Sequence, residues 1–214
     1  MLNTMKKFIF TLIMLFSLTS ISQEFEIKEV QIDSGANMYQ GTFKYFEPVM
    51  VLEVEGDANT LYSKAINWVN ETYKNPEEVI KGKVEGEYLR LNGFTSSLIS
   101  QNVLGTVFVY DVRYSVEIKF RDGRFRYEIT KMEQYFPPSQ YSSGSWVEIS
   151  FGFKVAKKKG KPNRKTGLRA PGKVDKSGVA NFDRVKLYFE NLGLGLRDYM
   201  MKNDSVSTST DDDW

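Results

Sequence analysis

Between residues 107 and 120 the apolar positions recur at every second residue. Phe108, Tyr110, Val112, Tyr114, Val116, Ile118 and Phe120 share one parity, and mostly polar residues stand between them, among them Asp111, Arg113, Ser115, Glu117 and Lys119. Successive side chains of a strand point to opposite faces, so this spacing predicts a long strand with one buried face. Asp122-Gly123 follows, a dipeptide suited to a two-residue type I′ hairpin turn. The return strand opens with RFRYEI at 124–129. Such a turn pairs Phe120 with Phe125, Ile118 with Tyr127 and Val116 with Ile129. All six land on the apolar face, so turn chemistry and pattern agree. Beyond Ile129 the alternation slips, which predicts a bulge within 130–132. Pro137-Pro138 ends the strand.

Elsewhere the period is helical. Residues 48–55 (PVMVLEVE) read as a Val-rich strand, ended by Gly56. Asp57 is a suitable N-cap for a helix over 58–73, where Leu61, Ala65, Trp68, Val69 and Tyr73 form one stripe. Asn75-Pro76 stops it. Phe182, Val185, Phe189, Leu192, Leu196 and Tyr199 repeat the helical spacing over 180–202. Gly193 and Gly195 weaken that second helix by about 1 kcal/mol each relative to Ala. Shorter β segments are expected at 25–32, 79–84 and 88–94, and one more strand at 146–155. Residues 33–40 and 157–177 read as loops, and the polar, acidic end as disordered.

Consecutive strands between two helices define an α+β class with an antiparallel sheet. Each helix has one apolar stripe and the main hairpin one apolar face. Both helices therefore belong on that face, leaving the other polar and open. On the open face Glu117 should oppose Glu128 and Lys119 should oppose Arg126, each with an opposite charge on the diagonal. Paired acids suit acid–base or calcium chemistry, but diagonal cations make this an exposed charge ladder of small energetic value.

Val54-Glu55-Gly56, then Leu61-Tyr62, Ala65 and Trp68, then Arg124-Phe125-Arg126-Tyr127 after the Asp-Gly turn, resemble an exported bacterial domain of unknown function with a TATA-binding-protein-like fold. The resemblance spans about residues 46–136, and its Leu-Tyr…Trp helix is the most specific part. It implies a β-α-β4-α topology and export, and no activity or catalytic residue. This chain departs from that pattern by a long insert at 137–177 before the last helix. The implied division is a signal peptide at 1–22, an N-terminal extension at 23–45, the α+β domain at 46–203, and a disordered acidic tail at 204–214. The name of the fold implies nothing about nucleic acid.

The first residues carry the compartment. Lys6 and Lys7 precede an apolar run of about ten residues at 8–18, which is short of the roughly 20 that span a bilayer. Ser20-Ile21-Ser22 is a small-x-small cleavage pattern that makes Gln23 the new N-terminus. A buried N-terminal helix and an uncleaved anchor are the competing readings. Cleavage places the mature protein in the periplasm or outside the cell, without a further transmembrane span. The chain has no Cys, so it is not a lipoprotein of the cysteine-modified kind.

Composition then narrows the chemistry. The formal net charge is +2, but Lys6 and Lys7 leave with the signal, and 27 basic residues then face 27 acidic ones. Global charge gives no reason to expect nucleic acid. There is no His and no Cys. Ser-His-Asp and Cys-His nucleophile systems, His-based zinc sites and Cys-rich metal sites are excluded together. No catalytic residue, metal ligand or cofactor is assigned.

Two candidate binding segments remain. From Lys154 to Lys176 there are ten Lys or Arg and one acid, Asp175. Lys157, Lys158, Lys159, Lys161, Arg164 and Lys165 suit an anionic surface, although a solvated loop is the simpler reading. No aromatic residue is interleaved, as base stacking would require. The second segment, 135–146, carries Tyr135, Tyr141 and Trp146 in a polar loop, a composition typical of recognition surfaces. The expected function is a non-catalytic exported binding or assembly module of the bacterial envelope, its partner an anionic envelope component or another exported protein. The alternative is a carboxylate-dependent hydrolase acting on an envelope polymer.

Overall fold

The computed structural model of the protein describes residues 24–33, 40–140, 142–157 and 173–202. The signal segment and its cleavage site, most of the loop read at 33–40, Tyr141, Lys158, Lys159, Lys161, Arg164, Lys165 and the acidic tail lie outside them.

The core unit runs β3 (Val49–Glu53), α1 (Ala58–Thr72), β4 (Ile80–Val84), β5 (Tyr88–Val103), β6 (Thr106–Arg121), β7 (Arg124–Phe136) and α3 (Lys176–Lys202). A single-turn helix, α2 (Pro76–Val79), follows the predicted stop at Asn75-Pro76. The strands form an antiparallel sheet in the order β3-β7-β6-β5-β4, with β8 (Ser145–Glu148) paired to the far half of β7. The α+β class and the β-α-β4-α order are therefore present as read.

Asp57 caps α1, its Oδ1 accepting from Thr60 N at 2.9 Å. Leu61, Tyr62, Ala65, Trp68 and Val69 are buried on α1, and Phe182, Val185, Phe189, Leu196 and Met200 on α3. They cover the sheet face that carries Val112, Tyr114, Val116, Ile118, Phe120, Phe125, Tyr127 and Ile129, all buried. The pairings Phe120–Phe125, Ile118–Tyr127 and Val116–Ile129 form as predicted. The register then shifts, leaving Thr130 as the extra residue and returning Met132 and Gln134 to the buried face.

Five local expectations are corrected. The Asp122-Gly123 turn is not type I′, which needs positive φ at both residues: of the two, only Gly123 has it. Tertiary bonds set this turn instead. Asp122 Oδ1 accepts from Ala58 N at 3.0 Å, and Gly123 exchanges backbone bonds with Val54 and Gly56. Strand β5 does not stop near Phe94. It passes a bulge between Thr95 and Ile99, where Ser97 has a φ of 58° and donates its N–H to Asp111 Oδ1, and continues to Val103. Phe108 shares the parity of the core residues but is 45% exposed, because β5 and β6 run on past the first turns of α3. Glu117 opposes Glu128 and Lys119 opposes Arg126 as expected, yet the ion pairs run along each strand, Lys119–Glu117 at 4.0 Å and Arg126–Glu128 at 3.0 Å, and not diagonally.

The fifth correction concerns 146–155, which is two strands in two sheets. β8 stays with β7, while β9 (Gly152–Lys157) joins β1 (Ile27–Asp33) and β2 (Gln40–Phe46) in a second sheet of order β1-β2-β9. The N-terminal extension and the insert before α3 thus pair with each other. This sheet is tied to α3 at Phe25, which is buried against Phe46, with its N–H donated to Glu190 Oε1 at 2.8 Å. Glu190 is itself buried and paired with Lys186 at 2.6 Å.

Candidate functional site

The two sheets meet at the N-terminus of α3, and a cleft of about 650 Å³ opens between them. Its construction follows from close backbone approach. Asp175 N donates to Val155 O at 2.8 Å, and Asp175 Oδ1 accepts from Gly178 N at 3.2 Å, capping α3 against the edge of β9. Gly178 permits this contact, since a Cβ there would lie 1.6 Å from Lys154 O. The cleft is lined by Lys154 and Lys157 from β9, Lys176 from α3, and the carboxamides of Gln101, Asn102, Gln134 and Asn181.

These groups differ in what already occupies them. Asn181 is spent on β5: its Oδ1 accepts from Ser100 N at 2.9 Å and its Nδ2 donates to Ser100 O at 2.7 Å. Gln101 Oε1 accepts from the Tyr110 hydroxyl at 3.2 Å. Gln134 is only 8% exposed, and its carboxamide forms no hydrogen bond among the described residues. Lys154, Lys157 and Lys176 form no ion pair there either. Three cations and an amide with no protein partner, set against one acid, Asp175, that is engaged at the cap of α3, suit a ligand bearing anionic oxygen, which accepts from both kinds of donor.

Of the basic residues picked out by sequence, only Lys157 is described, and it stands at the end of β9 on this cleft. Lys154 and Lys176 join it because β9 pairs with the Val174 region, a pairing that no period in the sequence announces. Tyr135 and Trp146 are not in a loop. They are register partners on β7 and β8, with ring centroids 5.1 Å apart, on the open face of the large sheet. Their neighbours Gln134 and Phe136 face the cleft, so the two candidate sites occupy opposite sides of β7. Trp146 also meets Phe94 edge-on and carries the Arg113 guanidinium 4.7 Å above its ring. Arg113 in turn makes two bonds to Glu133, at 2.7 and 3.0 Å. Those bonds, with help from Lys131, hold the Glu133 carboxyl below its ordinary range.

A second basic patch lies at the opposite end of the open face, where Lys119, Arg121, Arg124 and Arg126 surround Val51. Glu53 stands directly across from Arg124, and Arg126 is paired with Glu128, so its charge is partly spent. Among the described residues no group of three or more His, Cys, Asp or Glu is placed to hold a metal ion. No helix among them is long and apolar enough to cross a membrane.

An antiparallel sheet with two helices on one face and a β-α-β4-α order is a TBP-like fold. Residues 45–135 match the family described as "Domain of unknown function (DUF4468) with TBP-like fold". Among solved structures, a TBP-like protein from Parabacteroides distasonis is 13% identical, with a TM-score of 0.46 over 71% of this chain and 90% of that one. A DUF4468 family protein from Bacteroides ovatus is 10% identical, with a TM-score of 0.47 over 73% of this chain and 86% of that one. No curated protein matches the chain. The matched segment ends before β8, β9 and α3, so the lysine-lined cleft lies largely outside it.

Proposed function

We propose that this protein is a non-catalytic exported module that attaches to an anionic component of the bacterial envelope through the cleft between its two sheets. The observation that carries this reading is the set Lys154, Lys157 and Lys176, unpaired among the described residues and flanking the basic segment 158–172. Ion pairs between exposed groups are weak and screened over about 8 Å at physiological salt. Attachment is therefore modest and salt-sensitive. The hydrolase alternative needs a carboxylate free to take or give a proton. Glu117 and Glu128, register partners on the open sheet, and Glu133, which stands between Arg113 and Glu148, each have a cation within 4.0 Å. Only Glu148 of these acids forms no ion pair among the described residues, which favours binding over that chemistry.

A second surface is kept for a specific reason. The stack of Arg113, Trp146, Tyr135 and Phe94 is an aromatic platform of the sort that contacts another exported protein. The test of the main reading is retention of the chain from Gln23 on vesicles containing phosphatidylglycerol and on the acidic polysaccharide alginate. Retention is expected at about 50 mM salt and should fade by about 500 mM. Replacing Lys157, Lys158, Lys159, Lys161, Arg164 and Lys165 with Ser should abolish it without unfolding the protein. Absence of retention on both probes at low salt overturns the reading and makes the Trp146 platform the leading surface.

A further inference from the structure

We propose that the tip of the β5–β6 hairpin is a membrane-docking finger, which enters an anionic bilayer at the level of the headgroups while Lys154, Lys157 and Lys176 hold the lipid phosphates. The proposal rests on the reading above and names the anionic component as lipid. It begins with an absence in the sequence. From Leu91 to Tyr110 there is no charged residue, although 26% of the chain is charged and a stretch of that length would ordinarily hold about five. Residues 101–109 of that stretch are also exposed. Val103 is 42% exposed, Leu104 102%, Val107 62%, Phe108 45% and Val109 57%.

Protruding hairpins in water are normally blunted by charge. This one carries aliphatic and aromatic side chains on both of its faces, since Val107 and Val109 have one parity and Phe108 the other. A protein groove would meet one face; a bilayer meets both at once. The turn itself breaks a local preference. Leu104 and Gly105 have φ values of 51° and 90°, the signs a type I′ turn requires. Asn or Gly fits the first position without strain, whereas Leu in the left-handed region costs roughly 1 kcal/mol. A fully exposed leucine held there gains nothing from the folded core, which points to use at a surface that rewards hydrocarbon.

Between its two strands the backbone of the tip is paired, while its outer edges, beyond the reach of β4 and β7, stay at the hydrated headgroup level. Val103 pairs with Thr106, and Gly105 N donates to Asn102 Oδ1 at 3.0 Å. Nearer the body, the outer edge of β5 is occupied by Asn181 on Ser100 and by Arg184, whose Nη1 donates to Leu98 O at 3.1 Å. Edge-to-edge pairing with a second copy is blocked at those positions. Gln101 and Asn102 line the same cleft as the three lysines, so cations and apolar tip lie at one end of the molecule. Val174, 66% exposed beside Lys176, adds to the apolar side. A polysaccharide would use the lysines and leave the tip without purpose. An anionic bilayer uses both, combining apolar burial with charge attraction.

The experiment uses the chain from Gln23, which retains every described residue, with vesicles of phosphatidylcholine alone or mixed with phosphatidylglycerol. Binding is expected to the mixed vesicles. Leu104→Asp should weaken it by about tenfold or more, the loss expected for one leucine kept out of hydrocarbon. Lys154, Lys157 and Lys176 changed together to Gln should weaken it severalfold and flatten its salt dependence. Leu104→Trp should gain fluorescence that brominated acyl chains quench, above the quenching of the unsubstituted protein. If Leu104→Asp binds as well as the parent while the lysine variant does not, the charge reading survives and the finger is overturned. Binding to alginate but not to vesicles has the same meaning. If neither probe binds the parent, both readings fall.

Discussion

The two ends of strand β6 finish in opposite ways. At one end, Asp122-Gly123 leads into β7 between Arg121 and Arg124, and Asp122 is bonded to the first turn of α1. Phe120 and Phe125 stand there fully inside the core. At the other end, Leu104-Gly105 leads back into β5 with no charged neighbour, and Phe108, on the same sheet face as Phe120, is nearly half exposed. One turn is held by tertiary bonds that override its local preference. The other keeps an unfavourable residue with nothing packed upon it. The difference teaches that alternation along a strand states which face a residue has, and that the covering helices decide which residues of that face are buried.

The comparison breaks most readily at the two phenylalanines. Phe125→Ala should cost about 3–5 kcal/mol by leaving a cavity under α1 and α3. Phe108→Ala should change stability by less than about 0.5 kcal/mol, as an exposed substitution does. Urea unfolding of both variants measures the contrast, and equal losses would mean that the tip is covered. Next come two glycines of α3. Gly178→Ala should cost about 1–3 kcal/mol and weaken anion binding, because the added Cβ must displace the backbone of β9. Gly195→Ala, with nothing within 4 Å of its added Cβ, should stabilise the helix by about 1 kcal/mol and leave binding alone.

Smaller effects sharpen the contrast between the turns. Leu104→Asn should raise stability by up to about 1 kcal/mol, since Asn tolerates positive φ, while reducing vesicle binding. Asp122→Ala should do the reverse, losing about 1 kcal/mol with vesicle binding intact. Thermal melts paired with vesicle pelleting separate the two. The smallest effect is electrostatic. Arg113 holds the Glu133 carboxyl below its usual range, so the pair contributes stability that is present above the unfolded Glu value of about 4.3 and is lost as pH falls through the lower folded value. Glu133→Gln should remove no more than about 1 kcal/mol at neutral pH and flatten that part of the acid profile, read by denaturant titration at stepped pH.

Much of the fold was legible in the sequence for identifiable reasons. Asp57 as cap, the α1 stripe, the register at Phe120–Phe125 and the bulge at Thr130 are all local rules that the tertiary structure leaves in force. The pairing of 41–45 with 152–157 was not legible, because strand partners over a hundred residues apart leave no mark in a single chain's periodicity. The extension of β5 beyond Phe94 was not read, because the strand passes through a bulge between Thr95 and Ile99 that is held by Asp111. The candidate site was legible as charge only. Ten cations within 154–176 are evident from composition, whereas the cleft that gathers Lys154, Lys157 and Lys176 near Gln134 depends on that same unreadable pairing. The apolar tip was misread inward at Phe108, since its parity is that of the core.

Amide hydrogen exchange along β6, with and without phosphatidylglycerol-containing vesicles, tests the central claim most directly. Slowed exchange is expected in residues 98–110 and in 152–157, with 121–126 unchanged by the lipid. Slowing confined to 121–126, where Arg121 and Arg124 stand, or no lipid-dependent change at either end of β6, would contradict it.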